Sequence, residues 1–161
     1  RAAAGDLENA IAIGYAAAVD ASNHVRIGNG SVTQIGGQVG WSNLSDARRK
    51  TAIRPLDLGR AFVLALRPVA FTLAGGDGRT DMGFLAQDVE ALLGDRYGLL
   101  GVGSDSGRTL SLRYTDLIAP LVRAVQEQQA EIGEQSRTIA AQQARIEELA
   151  ARRAELERVQ R

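Results

Sequence analysis

Two residues of the sequence, Ser45 and Lys50, have the types and the spacing of a Ser-Lys catalytic pair. They lie in the stretch NLSDARRK at positions 43–50. Lys50 is the single lysine beside 18 arginines, so its presence invites a chemical explanation. A serine needs a base to become a nucleophile, and lysine can be that base where histidine is lacking.

The base of such a pair must be uncharged, which requires burial or neighbouring positive charge. Arg48 and Arg49 could supply the charge. Ser45-Asp46 also marks a helix start, with Asp46 near the N-terminus. Five residues turn through about 140° along a helix, but a Ser45 outside the helix at its cap escapes that separation. The pattern leaves two interpretations open, a catalytic pair and a capped, solvated helix.

Other chemistries have little support in the composition. His24 is the only histidine and there is no cysteine, so the sequence predicts no metal site and no cofactor. His24 could contact a metal or substrate, or it could be an ordinary residue at a strand edge. The glycine-rich stretches at 75–78 and 103–107 lack the P-loop pattern and predict hairpin turns.

Charge and hydropathy limit the partners. The chain of 161 residues has 19 basic and 19 acidic side chains, which favours neither nucleic acid nor a charged membrane surface as a partner. No apolar run approaches the roughly 20 residues of a membrane span. Residues 1–5 contain no initiator Met and no signal-peptide core, so we expect a fragment of a longer protein.

A heptad pattern runs through the C-terminal third, residues 114–161. Apolar residues recur every seven positions at heptad position a, and Gln or Leu occupies position d. A helix of this length measures about 72 Å, too long for such a small domain to bury, so its apolar stripe must face other copies. Successive Gln residues at d do not fit a tight dimer, which favours a parallel trimer. The predicted trimer seam consists of Ile118, Leu121, Val125, Gln128, Ile132, Gln135, Ile139, Gln142, Ile146, Leu149 and Leu156.

Short repeats occupy residues 1–40. The sequence AIAIG at 10–14 recurs 14 residues later as HVRIG at 24–28, and VTQIG at 32–36 is a shortened third copy. Alternating apolar residues that end in Gly predict short strands closed by turns. A repeat this short must stack on its neighbours or on other chains to bury its apolar face.

The middle segment, residues 41–113, predicts a small mixed α/β domain. Its predicted elements are helices at 58–66 and 86–93 and strands at 69–73, 81–85, 99–102 and 109–112. The predicted fold class is therefore α+β. We expect a homotrimer with N-terminal β-repeats, this small domain and a long C-terminal trimeric coiled coil.

Several motifs over residues 42–125 stand in the order of a known family. They are Ser45-Asp46-x-Arg48-x-Lys50, Pro68-Val69-x-Phe71, Gly83-Phe84-Leu85-Ala86-Gln87-Asp88-Val89-Glu90 and Leu112-x-Tyr114-x-x-Leu117. The set resembles the intramolecular chaperone of phage tail spikes and fibres, the endosialidase-type peptidase S74 family. The repeats before it resemble the head repeats of trimeric autotransporter adhesins.

The resemblance implies a domain that trimerises the protein in front of it, guides folding of its β-helical shaft and then cuts itself off. It implies Ser45 as nucleophile, Lys50 as general base and Leu44–Ser45 as the bond cut, with Asp46 and Arg48 in support. The partners would be two identical chains and the upstream shaft. The parent would belong to a virion tail, with the chaperone released in the host cytoplasm. A catalytically silent trimer cap of a tail fibre or of a bacterial surface adhesin is the alternative.

Overall fold

The computed structural model of the chain describes residues 6–103 and 105–160. Its elements in chain order are β1 (Ile11–Ile13), β2 (Val25–Ile27), α1 (Arg60–Ala65), β3 (Val69–Phe71), β4 (Asp81–Gly83), α2 (Ala86–Leu93), β5 (Leu100–Val102), β6 (Leu110–Leu112) and α3 (Ile118–Val159). Two 3-10 turns, Ala47–Arg49 and Tyr114–Leu117, precede α1 and α3. The fold is mixed α+β with short strands and a long C-terminal helix, as predicted.

The chain divides into two compact units. One contains the described residues up to Pro55 together with Ala65–Leu117, and the other contains Leu56–Leu64 and the chain from Ile118 onward. Three predictions reach beyond the described residues: the fragment start at residues 1–5, the turn at 103–107 through residue 104, and the heptads at residue 161.

The first two repeats stack as a coil with a period of 14 residues. β1 and β2 pair in parallel, and each residue of β1 lies opposite the residue 14 positions later. The side-chain amides of Asn9 and Asn23 bond at 3.0 Å, and both residues have a left-handed backbone, with φ of 51° and 62°. Gly14 and Gly28, which close the two strands, have φ of 107° and 74°. The predicted strands and their spacing are therefore confirmed.

The predicted third strand at residues 32–36 is wrong. The described residues contain no strand between β2 and β3. Val32 follows Val25 by seven residues, which is half of the coil period. It therefore stands where Ala18 stands in the first coil, outside the strand position, and cannot continue the parallel ladder.

The middle segment contains two antiparallel hairpins, β3–β4 and β5–β6. All four strands are shorter than predicted. The strand predicted at 69–73 ends at Phe71 because the Leu73 carbonyl accepts the N–H of Gly76 at 3.0 Å, which turns the chain. The strand predicted at 81–85 ends at Gly83 because Leu85 is already the N-terminal cap of α2.

α2 has the predicted bounds, residues 86–93. It buries Val89 and Leu93 on one face. Gly94 ends the helix in a left-handed conformation, φ 58°, and its N–H donates to the Glu90 carbonyl at 2.7 Å. A glycine in this position is the usual end of an α-helix.

α1 is shorter than the predicted 58–66 and its first turn is fixed by a distant residue. The backbone N–H of Arg60 donates to the Glu127 carboxylate of α3 at 2.8 Å, and the Arg60 guanidinium pairs with Glu131. A Cβ on Gly59 would overlap the Glu127 carboxylate, so this approach requires glycine. Leu58 and Phe62 are buried.

α3 contains 42 residues, about 63 Å of helix. It begins at Ile118, not at the predicted Tyr114, because the chain first makes a 3-10 turn. Pro120 lies in its first turn, where a missing N–H costs no helical hydrogen bond. All eleven predicted seam residues are exposed in the single chain. Near the end of the helix, Glu157 accepts from Arg153 of the same helix at 2.9 Å.

The Glu127 contact predicts a pH-dependent stability. The Arg60 amide, and then the Arg123 guanidinium, hold the pKa of the Glu127 carboxyl below its ordinary value. A depressed pKa stabilises the fold above the ordinary glutamate pKa, and this contribution is lost as pH falls through the folded value. Glu127→Gln should therefore lower the melting temperature at neutral pH, and the difference from wild type should disappear in acid.

Thermal unfolding at one fixed protein concentration measures this effect. Glu134→Gln is the matched control, because Glu134 occupies the same heptad position one repeat later. Equal losses in the two variants, or a difference that persists in acid, would contradict the capping role of Glu127.

Candidate functional site

Ser45 and Lys50 lie side by side in the structure. The Lys50 Nζ donates to the Ser45 Oγ at 2.9 Å. This distance is within the range for direct proton transfer between a nucleophile and its base. The structure thus brings together the two residues that the sequence singled out.

A 3-10 turn produces this contact. Residues 47–49 form the turn, and the Lys50 N–H donates to the Ala47 carbonyl at 3.1 Å. Ser45 precedes the turn and Lys50 follows it, so neither has helical backbone and the 140° separation of an α-helix does not apply. The predicted helix start is present, but the helix ends after one turn.

Asp46 and Arg48 brace the turn. Asp46 is its N-cap and accepts the Arg48 amide at 2.9 Å. The Arg48 guanidinium also binds both oxygens of this carboxylate, at 2.6 Å for Nη2 and 3.1 Å for Nε. These side-chain bonds, followed by the backbone bond, hold the pKa of Asp46 below its ordinary value. The charge of Arg48 is therefore directed at Asp46.

The segment around the predicted cleavage site is irregular and uncovered. Between β2 and α1, the 3-10 turn is the one regular element of the described residues. Leu44, on the N-terminal side of the predicted bond, is 77% exposed, and Trp41 is 84% exposed. A stretch of this length without secondary structure is uncommon inside a compact domain and often carries function.

The geometry allows an intramolecular attack. The Ser45 Oγ and the peptide bond between Leu44 and Ser45 belong to the same two adjacent residues. The reacting atoms are therefore already close together and need no docking step. Lys50 touches the same Oγ and could remove its proton once it has lost its own. Ser45, Lys50 and Leu44 are all exposed in the single chain.

The remaining candidate, His24, lies apart from this pair. Its carbonyl accepts the Ile11 N–H at 2.9 Å as part of the coil, and the residue is exposed. The described residues contain no group of three His, Cys, Asp or Glu side chains that could hold a metal ion. No helix among them is both long and apolar enough to cross a membrane.

Tyr114 connects the β3–β4 hairpin to the start of α3. Its hydroxyl accepts the Phe84 N–H at 3.1 Å, and the two rings stack with centroids 6.1 Å apart. A Cβ on Gly83 would overlap this hydroxyl. The motifs Gly83-Phe84 and Leu112-x-Tyr114 thus meet in space, a contact that the sequence analysis did not predict.

Two ion pairs on α2 were also missed. Asp88 pairs with Arg67 at 2.8 Å, and Glu90 accepts from Arg108 at 3.2 Å, which keeps the pKa of the Glu90 carboxyl below its ordinary value. These contacts tie α2 to the residues before β3 and to the β5–β6 hairpin. Pairs separated by about 20 residues leave no periodic signal in one sequence.

Comparison with known families gives one match. Residues 45–96 match the peptidase S74 family, described as Chaperone of endosialidase. The match begins at Ser45 and includes the turn, both α1 and α2, and the β3–β4 hairpin. This segment of the chain is therefore similar to the chaperone-of-endosialidase family, the family that the motifs indicated. Comparisons with curated proteins and with solved structures gave no match.

The packing of Tyr114 over Gly83 predicts a coupled pair of substitutions. Gly83→Ala should cost about 1–3 kcal/mol of unfolding free energy because the new methyl group overlaps the hydroxyl. Tyr114→Phe alone should cost about 1 kcal/mol through the lost hydrogen bond. In the double variant the overlap is smaller. Its loss of unfolding free energy should therefore be smaller than the sum of the two single losses, by more than about 0.5 kcal/mol. Urea unfolding measures all four proteins, and strict additivity would refute the contact.

Proposed function

We propose that this chain is an intramolecular chaperone that trimerises, assists folding of an upstream phage tail spike or fibre segment, and releases itself by cutting Leu44–Ser45. The match of residues 45–96 to the chaperone-of-endosialidase family supports the chaperone role, and this family is associated with phage tail proteins. The observation that carries the cutting step is the 2.9 Å contact between Lys50 Nζ and Ser45 Oγ at the first residue of the family match.

The reaction takes place within the chain. An uncharged Lys50 takes the proton of the Ser45 hydroxyl, and the Oγ attacks the Leu44 carbonyl carbon through a five-membered ring. The Ser45 nitrogen leaves and takes up a proton, which gives an ester between the Leu44 acyl group and the Ser45 Oγ. Water then hydrolyses this ester to a Leu44 carboxylate and a free Ser45 with a new amino terminus. No cofactor takes part.

Asp46 and Arg48 are positioning residues in this proposal. The Asp46 carboxylate caps the 3-10 turn that folds Lys50 back onto Ser45, and Arg48 holds the carboxylate in that orientation. Charge-assisted bonds to a carboxylate are shorter and more directional than neutral ones. The role needs no contact between Asp46 and the reacting atoms.

A parallel three-stranded coiled coil of α3 is the proposed basis of trimerisation. The residues that hold α1, Glu127 and Glu131, occupy heptad positions c and g. The buried residues of α3, Pro120 and Ala124, also lie at c and g. Positions a and d are therefore left free for other copies, and Ile139, for example, is 65% exposed. The Gln residues at d favour three chains over two.

A catalytically silent trimer cap is the second candidate, for a tail fibre or a trimeric surface adhesin. The exposure of Lys50 in the single chain favours it, because a lysine base of this kind is normally activated by burial. β1 and β2 pair with the same 14-residue spacing as the sequence repeats. These are the repeats that resemble the head repeats of trimeric adhesins, so they fit an adhesin parent. The two candidates differ in one event, the cleavage of Leu44–Ser45.

Cleavage is tested by intact mass over time on wild type, Ser45→Ala and Lys50→Arg. Wild type should yield a product that begins at Ser45, and both variants should stay intact. Arginine retains the charge and length of the lysine but cannot give up its proton, so Lys50→Arg separates base catalysis from turn stability. Hydroxylamine should accelerate cleavage of wild type alone, because it captures the ester.

The same assay tests Asp46. Asp46→Ala removes the cap and should slow cleavage more than Asp46→Asn, which keeps an acceptor oxygen for the Arg48 amide. If wild type, Ser45→Ala and Lys50→Arg all stay intact and trimeric, the peptidase is eliminated and the silent cap remains. Cleavage of the Ser45→Ala variant at the same bond would assign the reaction to another group.

Ile139→Asp tests the seam. In a trimer it would bury three carboxylates around one axis, so it should convert the particle to monomers in light scattering. Ala144→Asp is the matched control, since it adds the same charge at position f, away from the seam, and should leave the trimer intact. Equal behaviour of the two variants would refute the seam.

A further inference from the structure

Two large apolar residues of α3 lie outside its seam, Val122 near the start of the helix and Val159 at its end. Val122 occupies heptad position e and is 51% exposed. The other e positions of the helix hold Gln129, Ser136, Gln143, Ala150 and Glu157. Residues at e are usually polar in a coiled coil, where they border the seam. Val122 widens the apolar stripe at the level of Leu121 and Val125, so this part of the stripe is broader than paired helices alone require.

α1 lies on the other flank of the same helix. Its first N–H is held by Glu127 at position c, and Arg60 pairs with Glu131 at position g. With about 100° of rotation per residue, position e lies roughly opposite the middle of c and g. The α1 of a chain is therefore separated from its own Val122 by the full width of α3.

A neighbouring chain brings the two features together. In a parallel coiled coil, the g flank of one helix faces the e flank of the next. α1 is mounted on the c and g flank, on the side from which the neighbour's Val122 approaches. The surface of α1 that faces away from its buried Leu58 and Phe62 carries Leu64, which is 74% exposed.

We propose that each α1 packs over the e flank of the adjacent chain, with Leu64 against Val122 of that copy. The inference rests on the parallel trimer of the proposed function and adds a second interface to it. A second copy is the occupant because Val122 continues the apolar seam that a second copy must already cover. The contact would join the segment that directly follows the cleavage region to the coiled coil of another subunit.

The spacing of the charged residues agrees with this arrangement. Glu131 would face Ser136 of the next helix, five positions further along, and that serine offers no charge. The Glu131 carboxylate pairs with Arg60 of its own chain. No interchain ion pair at Glu131 therefore competes with the attachment of α1 to its own helix.

Cross-linking of the full chain tests the proposal. The sequence has no cysteine, so Leu64→Cys and Val122→Cys can be introduced together in a Ser45→Ala background, where the chain stays intact. Treatment with a short bis-maleimide should shift the protein from monomer to dimer and trimer mobility on a denaturing gel. Leu64→Cys with Ala119→Cys is the control, because Ala119 is exposed at position b, away from the neighbour, and it should remain at monomer mobility.

Light scattering on the same samples separates the two levels of inference. A trimer that gives no more cross-linked product than the control would overturn the α1 contact and leave the seam intact. A monomeric particle would overturn the trimer and this inference with it, whatever the outcome of the cleavage assay. Mixing chains that carry only Leu64→Cys with chains that carry only Val122→Cys should still give covalent dimers, and failure there would also overturn the contact.

Discussion

The uncovered apolar seam of α3 is the constraint on which the rest of this structure depends. Eight large apolar side chains at positions a and d lie on the surface of one helix. Covering them is worth on the order of 10 kcal/mol per chain, which is comparable to the whole stability of a small domain. Nothing in the described part of a single chain covers this seam, so the proposed association of chains would dominate the energetics.

The contacts that hold α1 do not use the seam. α1 is attached to positions c and g through Glu127 and Glu131, and a glycine at 59 makes the close approach possible. Tyr114 links the hairpin to the turn that begins α3. The contact between Ser45 and Lys50, in contrast, spans only six consecutive residues.

Local patterns in the sequence were sufficient for much of this fold. The bounds of α2 follow from its motif and from Gly94, and the 14-residue spacing of the repeats gave the positions of β1 and β2. The adjacency of Ser45 and Lys50 was foreseeable because it depends on six consecutive residues. The strand predicted for the third repeat was wrong because its residue types resemble those of a strand, but its position does not follow the 14-residue spacing of the first two repeats.

Contacts between distant residues were not foreseeable. Glu127 caps a helix that begins 67 positions earlier, and no local cap in the sequence indicated where α1 would start. The pairs of Arg108 with Glu90 and of Arg67 with Asp88 depend on how the hairpins lie against α2. A single sequence does not encode such pairings as a period.

The separation between partners along the chain also sets an order of events. Helical bonds in α3 join residues four apart and form in about a microsecond, whereas strands or caps that join distant residues must first close a loop. The coil joins residues 14 apart, and the α1 cap joins residues 67 apart. α3 is therefore expected to gain structure before the elements that precede it in the chain. Folding in this protein is expected to run from the long helix toward the N-terminal coil, against the direction of translation.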